Sequence, residues 1–412
     1  MNKALRTIGL AGLLNLSAAP GGMADGTNWV NGLWFDGEQF VARTMYSSNG
    51  RFAAELSPEA DTVDLNGGFV VPPFGEAHNH DLASDHEAEE TIRNYLRDGV
   101  FYAKMQSAFS IDYPAEAVNR PDSVDVVWAF APVTGPGGHP IRIRELFFER
   151  GYYEGVFETK ETIAGIGYTE VRDADELAAK WPGLLAQNPD FIKFMLSYSE
   201  EYELRRDDPE FFGYKGLDPA LAPLLVELAH GAGLRVSAHI STAADFHTAV
   251  AAGVDEVAHM PGTAEPEVIR AQDAMLAAEQ GTVVITTLSL TTKIAEDYPA
   301  WYQHVMEQHK ANLVRLKEAG VTIAIGSDLP YRDTSLGEAT LIASLGVFSN
   351  AELLNLWAVN APKTIFPERR IACFEAGCDA SFLVLDKDPL DDFGAVKSIR
   401  LRVKQGRELQ GF

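Results

Sequence analysis

Phe74-Gly75-Glu76-Ala77-His78-Asn79-His80 follows Pro72-Pro73 and decides how the rest of the chain is read. Two prolines force an extended entry. Period-2 alternation then puts His78 and His80 on one strand face, where two imidazoles can share one metal ion. A lone His-x-His is weak, but four further chemistry-bearing residues repeat its placement at the ends of apolar runs. They are Lys193 in Asp-Phe-Ile-Lys-Phe-Met, His239 in Val-Ser-Ala-His, His259 in Glu-Val-Ala-His and Asp328 in Ile-Gly-Ser-Asp.

Outward from that motif, apolar runs alternate with helical patterns. Strands are expected over 74–79, 99–105, 125–132, 190–196, 234–240, 254–260, 282–289 and 321–327. Helices are expected at Leu221–Ala232, Ala243–Ala252, Pro266–Glu279 and Tyr302–Ala319. Gly233, Gly253 and Gly320 stand where helix C-caps belong, just before strands. This alternation predicts an α/β fold, a (β/α)8 TIM barrel over 72–366. The connection from 134 to 189 is too long for an ordinary loop and is expected to cover the mouth of the barrel.

Before residue 72 the pattern is different. Trp29-Val30, Leu33-Trp34-Phe35, Gln39-Phe40-Val41 and Phe69-Val70-Val71 are separated by Asn31-Gly32, Asp36-Gly37, Ser48-Asn49-Gly50 and Asn66-Gly67-Gly68, which reads as hairpins. Strand signals return at Ala380–Leu385 and Ser398–Val403. Residues 25–71 and 367–412 are therefore expected to form one small β-sandwich domain from both termini.

Residues 1–24 read as a signal peptide. Lys3 and Arg6 precede the apolar Ile8–Leu16, and Gly22-Met23-Ala24 suits a cleavage site. The apolar stretch is too short for a bilayer span. The expected location is periplasmic or secreted, with no membrane attachment once the signal is removed. In an oxidising compartment Cys373 and Cys378 could pair, although their spacing does not fix the Cα approach.

The chain has 412 residues and a net charge of −25. Such an acidic surface repels phosphate backbones, which argues against nucleic-acid partners and against a nuclease reading of His78-Asn79-His80. Lys193 lies inside Phe191–Leu196, where a cation is costly unless it is paired, neutral or modified. Asp328 ends a continuous apolar run and suits a metal ligand that also carries protons.

These residues together resemble the amidohydrolase superfamily, in its two-metal branch with a bridging carboxylated lysine. Asp64–Pro72, Ala249–His259, the Gly-Gly-His of Thr134–His139 and Ala376–Leu385 resemble the imidazolonepropionase-like and Xaa-Pro dipeptidase-like subset. Thr242, three positions after His239, stands where the one-metal deaminases carry Glu.

The resemblance implies an enzyme that hydrolyses a C–N amide bond of a small molecule, of the peptide or N-acyl amino acid type. His78, His80 and Asp328 would hold one divalent ion, and His239 and His259 the other. Lys193, carboxylated by CO2, and a hydroxide would bridge them, with zinc the default metal. Asp328 would be the catalytic proton carrier. His139, Tyr198, Arg205 and Tyr214 are expected to meet substrate. His86, His230, His247, His304 and His309 read as surface or structural. A cyclic amide, lactone or phosphotriester substrate, or a non-catalytic binding role, is the alternative, and a homo-oligomer is compatible with either.

Overall fold

The computed structural model describes residues 26–55, 58–84, 87–261, 268–295, 297–329 and 333–412. The expected signal peptide, His86 and part of the expected helix Pro266–Glu279 lie outside the described residues.

The first strands are β1 (Thr27–Phe35), β2 (Phe40–Ser48), β3 (Arg51–Ala53), β4 (Asp61–Asp64) and β5 (Phe69–Val71). Then come β6 (Phe74–Asn79), β7 (Val100–Ala108), β8 (Asp125–Phe130), β9 (Val133–Thr134), β10 (Thr169–Glu170) and β11 (Phe191–Met195). They are followed by β12 (Arg235–His239), β13 (Glu256–Ala258), β14 (Val283–Ile285), β15 (Ile323–Ala324), β16 (Phe382–Leu385), β17 (Ile399–Lys404) and β18 (Arg407–Glu408).

The terminal strands make one eight-stranded sheet in the order β18-β17-β16-β5-β1-β2-β3, with β4 beside β1. Its β3 edge returns to the chain entering β16: Phe52 N donates to Cys378 O and Ala380 N donates to Gly50 O. The sheet thus wraps a core of Trp29, Trp34, Phe52, Val70, Phe382 and Val403. The Cys373–Cys378 disulfide is present beside that core. Asn31-Gly32 does not turn the chain. β1 runs straight through it with a bulge, Asn31 taking φ 55°. A Cβ on Gly32 would meet Trp34 Nε1 at 2.7 Å and Leu65 Cδ1 at 2.8 Å, so the glycine serves close packing rather than reversal.

The middle of the chain is mixed α/β with parallel strands. β6-β7-β8 form one parallel sheet and β10-β9-β11-β12-β13-β14-β15 another. Hydrogen bonds join the two at both seams. Asp190 N donates to Trp128 O between β8 and β11, while Ala77 N to Ile325 O and Asp328 N to His78 O join β6 to the exit of β15. Hydrogen bonds thus link the strands β6 to β8 and β11 to β15 in a ring, with helices in the connections other than that from β7 to β8. Gly326 makes the second seam: a Cβ there would lie 2.5 Å from His78 N.

Most expected strands stand, shortened at their ends. The run 254–260 yields only Glu256–Ala258, because His259 takes φ 86° and leaves the strand. The connection 134–189 is not a bare loop. It contains the helices Ile141–Glu149 and Ala174–Leu185, and its Ile141, Tyr153, Phe157, Ile163 and Tyr168 pack a small core against Phe109.

Candidate metal centre

Every expected ligand except Lys193 stands at or just past the C-terminal end of a strand. His78 and His80 close β6, Lys193 is central in β11, His239 ends β12, His259 follows β13 and Asp328 follows β15. Pairing sets the depth: Lys193 lies opposite Ser237, and His239 opposite Met195 and Ala258. His259 and Asp328 (φ 51°) both adopt left-handed backbone, which turns their side chains out of strand alternation.

The side chains converge. Asp328 Oδ1 is 3.6 Å from His78 Nε2 and 3.4 Å from His80 Nε2, and its Oδ2 is 3.8 Å from His259 Nδ1. The His259 ring is 4.5 Å from those of His78 and His239, and His139 stacks on His239 at 4.6 Å. Ligand atoms of His78, His259 and Asp328 all lie within 4.8 Å of one another. The tightest trio thus spans the two ligand sets implied by the resemblance, which had grouped His259 with His239.

Burial, then the charges of His259 and Lys193, holds the His78 imidazole well below its usual range. Burial acts first on His239 and His259 as well, with His259 and Lys193 respectively next in effect. Neutral imidazoles keep lone pairs for a cation. Burial pushes Lys193 down to about 7, against the opposing carboxylates of Glu256 and Asp328. Burial pushes Asp328 up to about 7, opposed by Lys193. Lys193 Nζ and His78 Nδ1 are buried without a hydrogen-bond partner. Such atoms are costly to leave unsatisfied, and a donor set of neutral imidazoles, a carboxylate and an orphan amine fits divalent metal.

Neighbours that the sequence did not single out orient these groups. His80 Nδ1 faces Ser107 Oγ at 3.2 Å, and His259 Nδ1 faces Thr287 Oγ1 at 2.8 Å. The Glu76 carboxylate accepts Ser327 N and Ser327 Oγ, each at 2.7 Å, tying β6 to the Asp328 turn. Below Lys193, Lys104 pairs with Glu256 at 2.6 Å, and Gln106 donates to Glu256 at 3.1 Å. Arg144, on the helix Ile141–Glu149, donates to Ser107 Oγ at 2.6 Å. Burial is the first cause holding His80 and His139 low, with the charges of Arg144 and Lys193 next.

The expected substrate residues divide. His139 joins the cluster through His239, with its ring held down to about 4 by burial. Tyr198 follows β11, its ring capped by the Arg205 guanidinium at 3.5 Å, and Asp245 ties its backbone to the loop after His239. Tyr214 is 52% exposed with Arg142 at 5.0 Å over its ring, and no hydrogen bond or ring contact joins it to the histidines. His230 and His247 pair with Asp255 and Asp273, each at 2.9 Å, away from the cluster. Cys373, Glu375 and Cys378 also lie close together, but the disulfide removes both thiols as ligands.

No family model matches the chain. The crystal structure of Aspergillus niger ochratoxinase superposes with TM-score 0.74 at 19% identity, over 95% of this chain and 96% of that one. A Xaa-Pro dipeptidase with bound methionine in its active site gives 0.73 at 17% identity, over 94% and 100%. A protein described as an amidohydrolase gives 0.72 at 21% identity, over 94% and 99%. The fold is that of the amidohydrolase superfamily. In sequence, the A. niger ochratoxinase is 24% identical over 213 residues, 50% of this chain and 44% of that one. The match thus spans under half the length of that curated relative.

Proposed function

We propose that the protein is an exported, metal-dependent hydrolase of a C–N amide bond on a (β/α)8 barrel. The observation that carries this reading is the buried, unpartnered Lys193 Nζ among neutral His78, His239, His259 and Asp328. His78, His80, His239, His259, Asp328 and a Lys193 carboxylated by CO2 are the residues that would hold two divalent ions, zinc by default. Ions so held polarise a carbonyl and lower the pKa of water.

The chain's own groups do the rest. An amine held near 7 is partly neutral at physiological pH and can attack CO2. Asp328, held at about 7, takes a proton from the attacking water on its carboxylate oxygen. It returns that proton to the leaving nitrogen as the C–N bond breaks. His139, stacked on His239, would hold the substrate carbonyl. Tyr198, with the Arg205 guanidinium over its ring, would meet the substrate beside it. The relatives described as ochratoxinase and Xaa-Pro dipeptidase support a peptide or N-acyl amino acid as substrate.

Asp328→Asn tests the role directly. Amide turnover is expected to fall about 100-fold or more while the circular dichroism spectrum is retained; retained turnover would remove Asp328 from the chemistry. Export after Ala24 predicts a mature N-terminus at Asp25, read by N-terminal sequencing of the protein from its producing cell.

A further inference from the structure

A cavity of about 630 Å³ opens between the terminal sheet and the start of β8, at the end of the ring away from the metal ligands. Arg51 of β3, Asp379 before β16, Asp125 of β8 and the run Glu368, Arg369 and Arg370 line it. Its inner charges are matched. Asp125 takes Arg369 at 2.7 Å and the buried Lys404 at 2.6 Å, and Arg369 reaches Asp379 at 2.8 Å. This ladder ties the sheet to the ring and leaves no call for a ligand.

The outer charges are not matched. Arg51 Nη1 donates to Gly377 O at 3.1 Å, and its Nη2 stops 3.9 Å from Asp379, beyond hydrogen-bond reach. Arg370 meets one carboxylate, Glu375, at 3.1 Å, in an exposed pair of little strength. A Cβ on Gly377 would lie 2.9 Å from Arg370 Nη1, so both guanidiniums lie against the same glycine. Two like charges side by side, each with most of its five N–H donors uncommitted, fit an incoming carboxylate. Their frame is fixed. Gly377 N donates to Phe52 O and Asp379 N to Arg370 O, each at 2.8 Å, and the Cys373–Cys378 disulfide closes the loop that carries Gly377. Glu368 is the opposite pole. Its exposed carboxylate lines the same cavity, and no ion pair or hydrogen bond reaches it among the described residues.

We infer that this cavity binds a free amino acid as a zwitterion, its carboxylate on Arg51 and Arg370 and its ammonium on Glu368. A plain anion would leave Glu368 facing like charge, and a plain cation would meet two guanidiniums. A zwitterion satisfies both poles at once. In a chain of net charge −25, a lining with three guanidiniums and three carboxylates is locally balanced, which favours a ligand without net charge. The site is separate from the metal centre and does not depend on the amide-hydrolase reading.

The test is isothermal titration calorimetry of the metal-loaded full chain with a panel of L-amino acids that lack side-chain amides. The hydroxy acid and the amino alcohol matching the tightest binder follow. None of these carries an amide bond, so the proposed hydrolysis consumes none of them. At least one amino acid is expected to bind. The hydroxy acid and the amino alcohol should each bind at least about 10-fold more weakly, because each has lost one pole. Arg51→Gln, Arg370→Gln and Glu368→Gln should each weaken the amino acid about 10-fold or more, with metal content and amide turnover at wild-type values. All three side chains are exposed, so the substitutions leave the core untouched. Absence of binding by every amino acid would overturn the inference. So would equal affinity for the hydroxy acid or the amino alcohol. Undiminished binding in the three variants would overturn it too, by placing the ligand elsewhere, such as at the metal centre. The wild-type comparison decides even where a variant fails to fold, and the amide-hydrolase reading rests on its own turnover assay throughout.

Discussion

At the residue scale, the lysine in β11 behaves as it does because of where it sits. Lys193 is flanked by Ile192 and Phe194, both buried, so the charged amine loses most of its hydration. Only the free amine reacts with CO2. With its pKa lowered to about 7, the deprotonated form grows as pH rises through neutrality. Carboxylation of metal-free protein by labelled bicarbonate is therefore expected to rise from about pH 6 to about pH 8, read as a carbamate carbon signal by NMR. A signal that is flat across that range, or equal in Lys193→Ala, would count against it. Thr287 acts on the partner residue: its hydroxyl fixes the His259 ring. Thr287→Val is expected to weaken metal binding about 10- to 100-fold without unfolding the chain, as measured by competition with a chelator. Lys193, His78 and Asp328 were legible in sequence because polar residues ending apolar runs stand out. Arg144 was not, since a basic residue in the helix Ile141–Glu149 reads as surface until the fold brings it to Ser107.

At the element scale, the interior of the ring is not wholly apolar. Lys104 on β7 and Glu256 on β13 face each other across it, with Gln106 and Ser237 completing the polar layer. The Glu256 carboxylate stays below its ordinary range because Lys104 and Arg235 outweigh burial. Glu256→Gln leaves the Lys104 cation without its charge partner. A loss of about 3–5 kcal/mol is expected in denaturant unfolding, and Lys104→Met should add less than its own cost when combined with it. Full additivity would mean that the pair is not coupled. None of this was visible in the strand patterns, because pairing across a closed sheet joins positions 152 apart. The elements that were misjudged share one cause. The brevity of β13 and the straight run of β1 through Asn31-Gly32 both depend on left-handed residues whose need arises only in the assembled sheet.

At the scale of the whole molecule, the chain passes from the terminal sheet into the parallel strands between β5 and β6. Alternation of strands and helices made the parallel α/β part legible, whereas the sandwich expected from the turn-rich ends is instead one eight-stranded sheet that takes strands from both. The seam was not: it needs Gly326 against His78 and Glu76 against Ser327, contacts that span the ring. The disulfide belongs to the terminal sheet. It closes a loop with sequence separation 5, for which chain entropy gives about 2 kcal/mol. Replacing both cysteines with alanine should lower unfolding stability by about that amount and leave metal content unchanged. A loss of metal would instead tie the terminal sheet to the centre.

Metal content per chain tests the central claim most directly, by elemental analysis of protein purified with bicarbonate and without chelators. About two divalent ions per chain are expected, falling together with amide turnover in Lys193→Ala. Full amide turnover by protein that holds no metal would contradict the account.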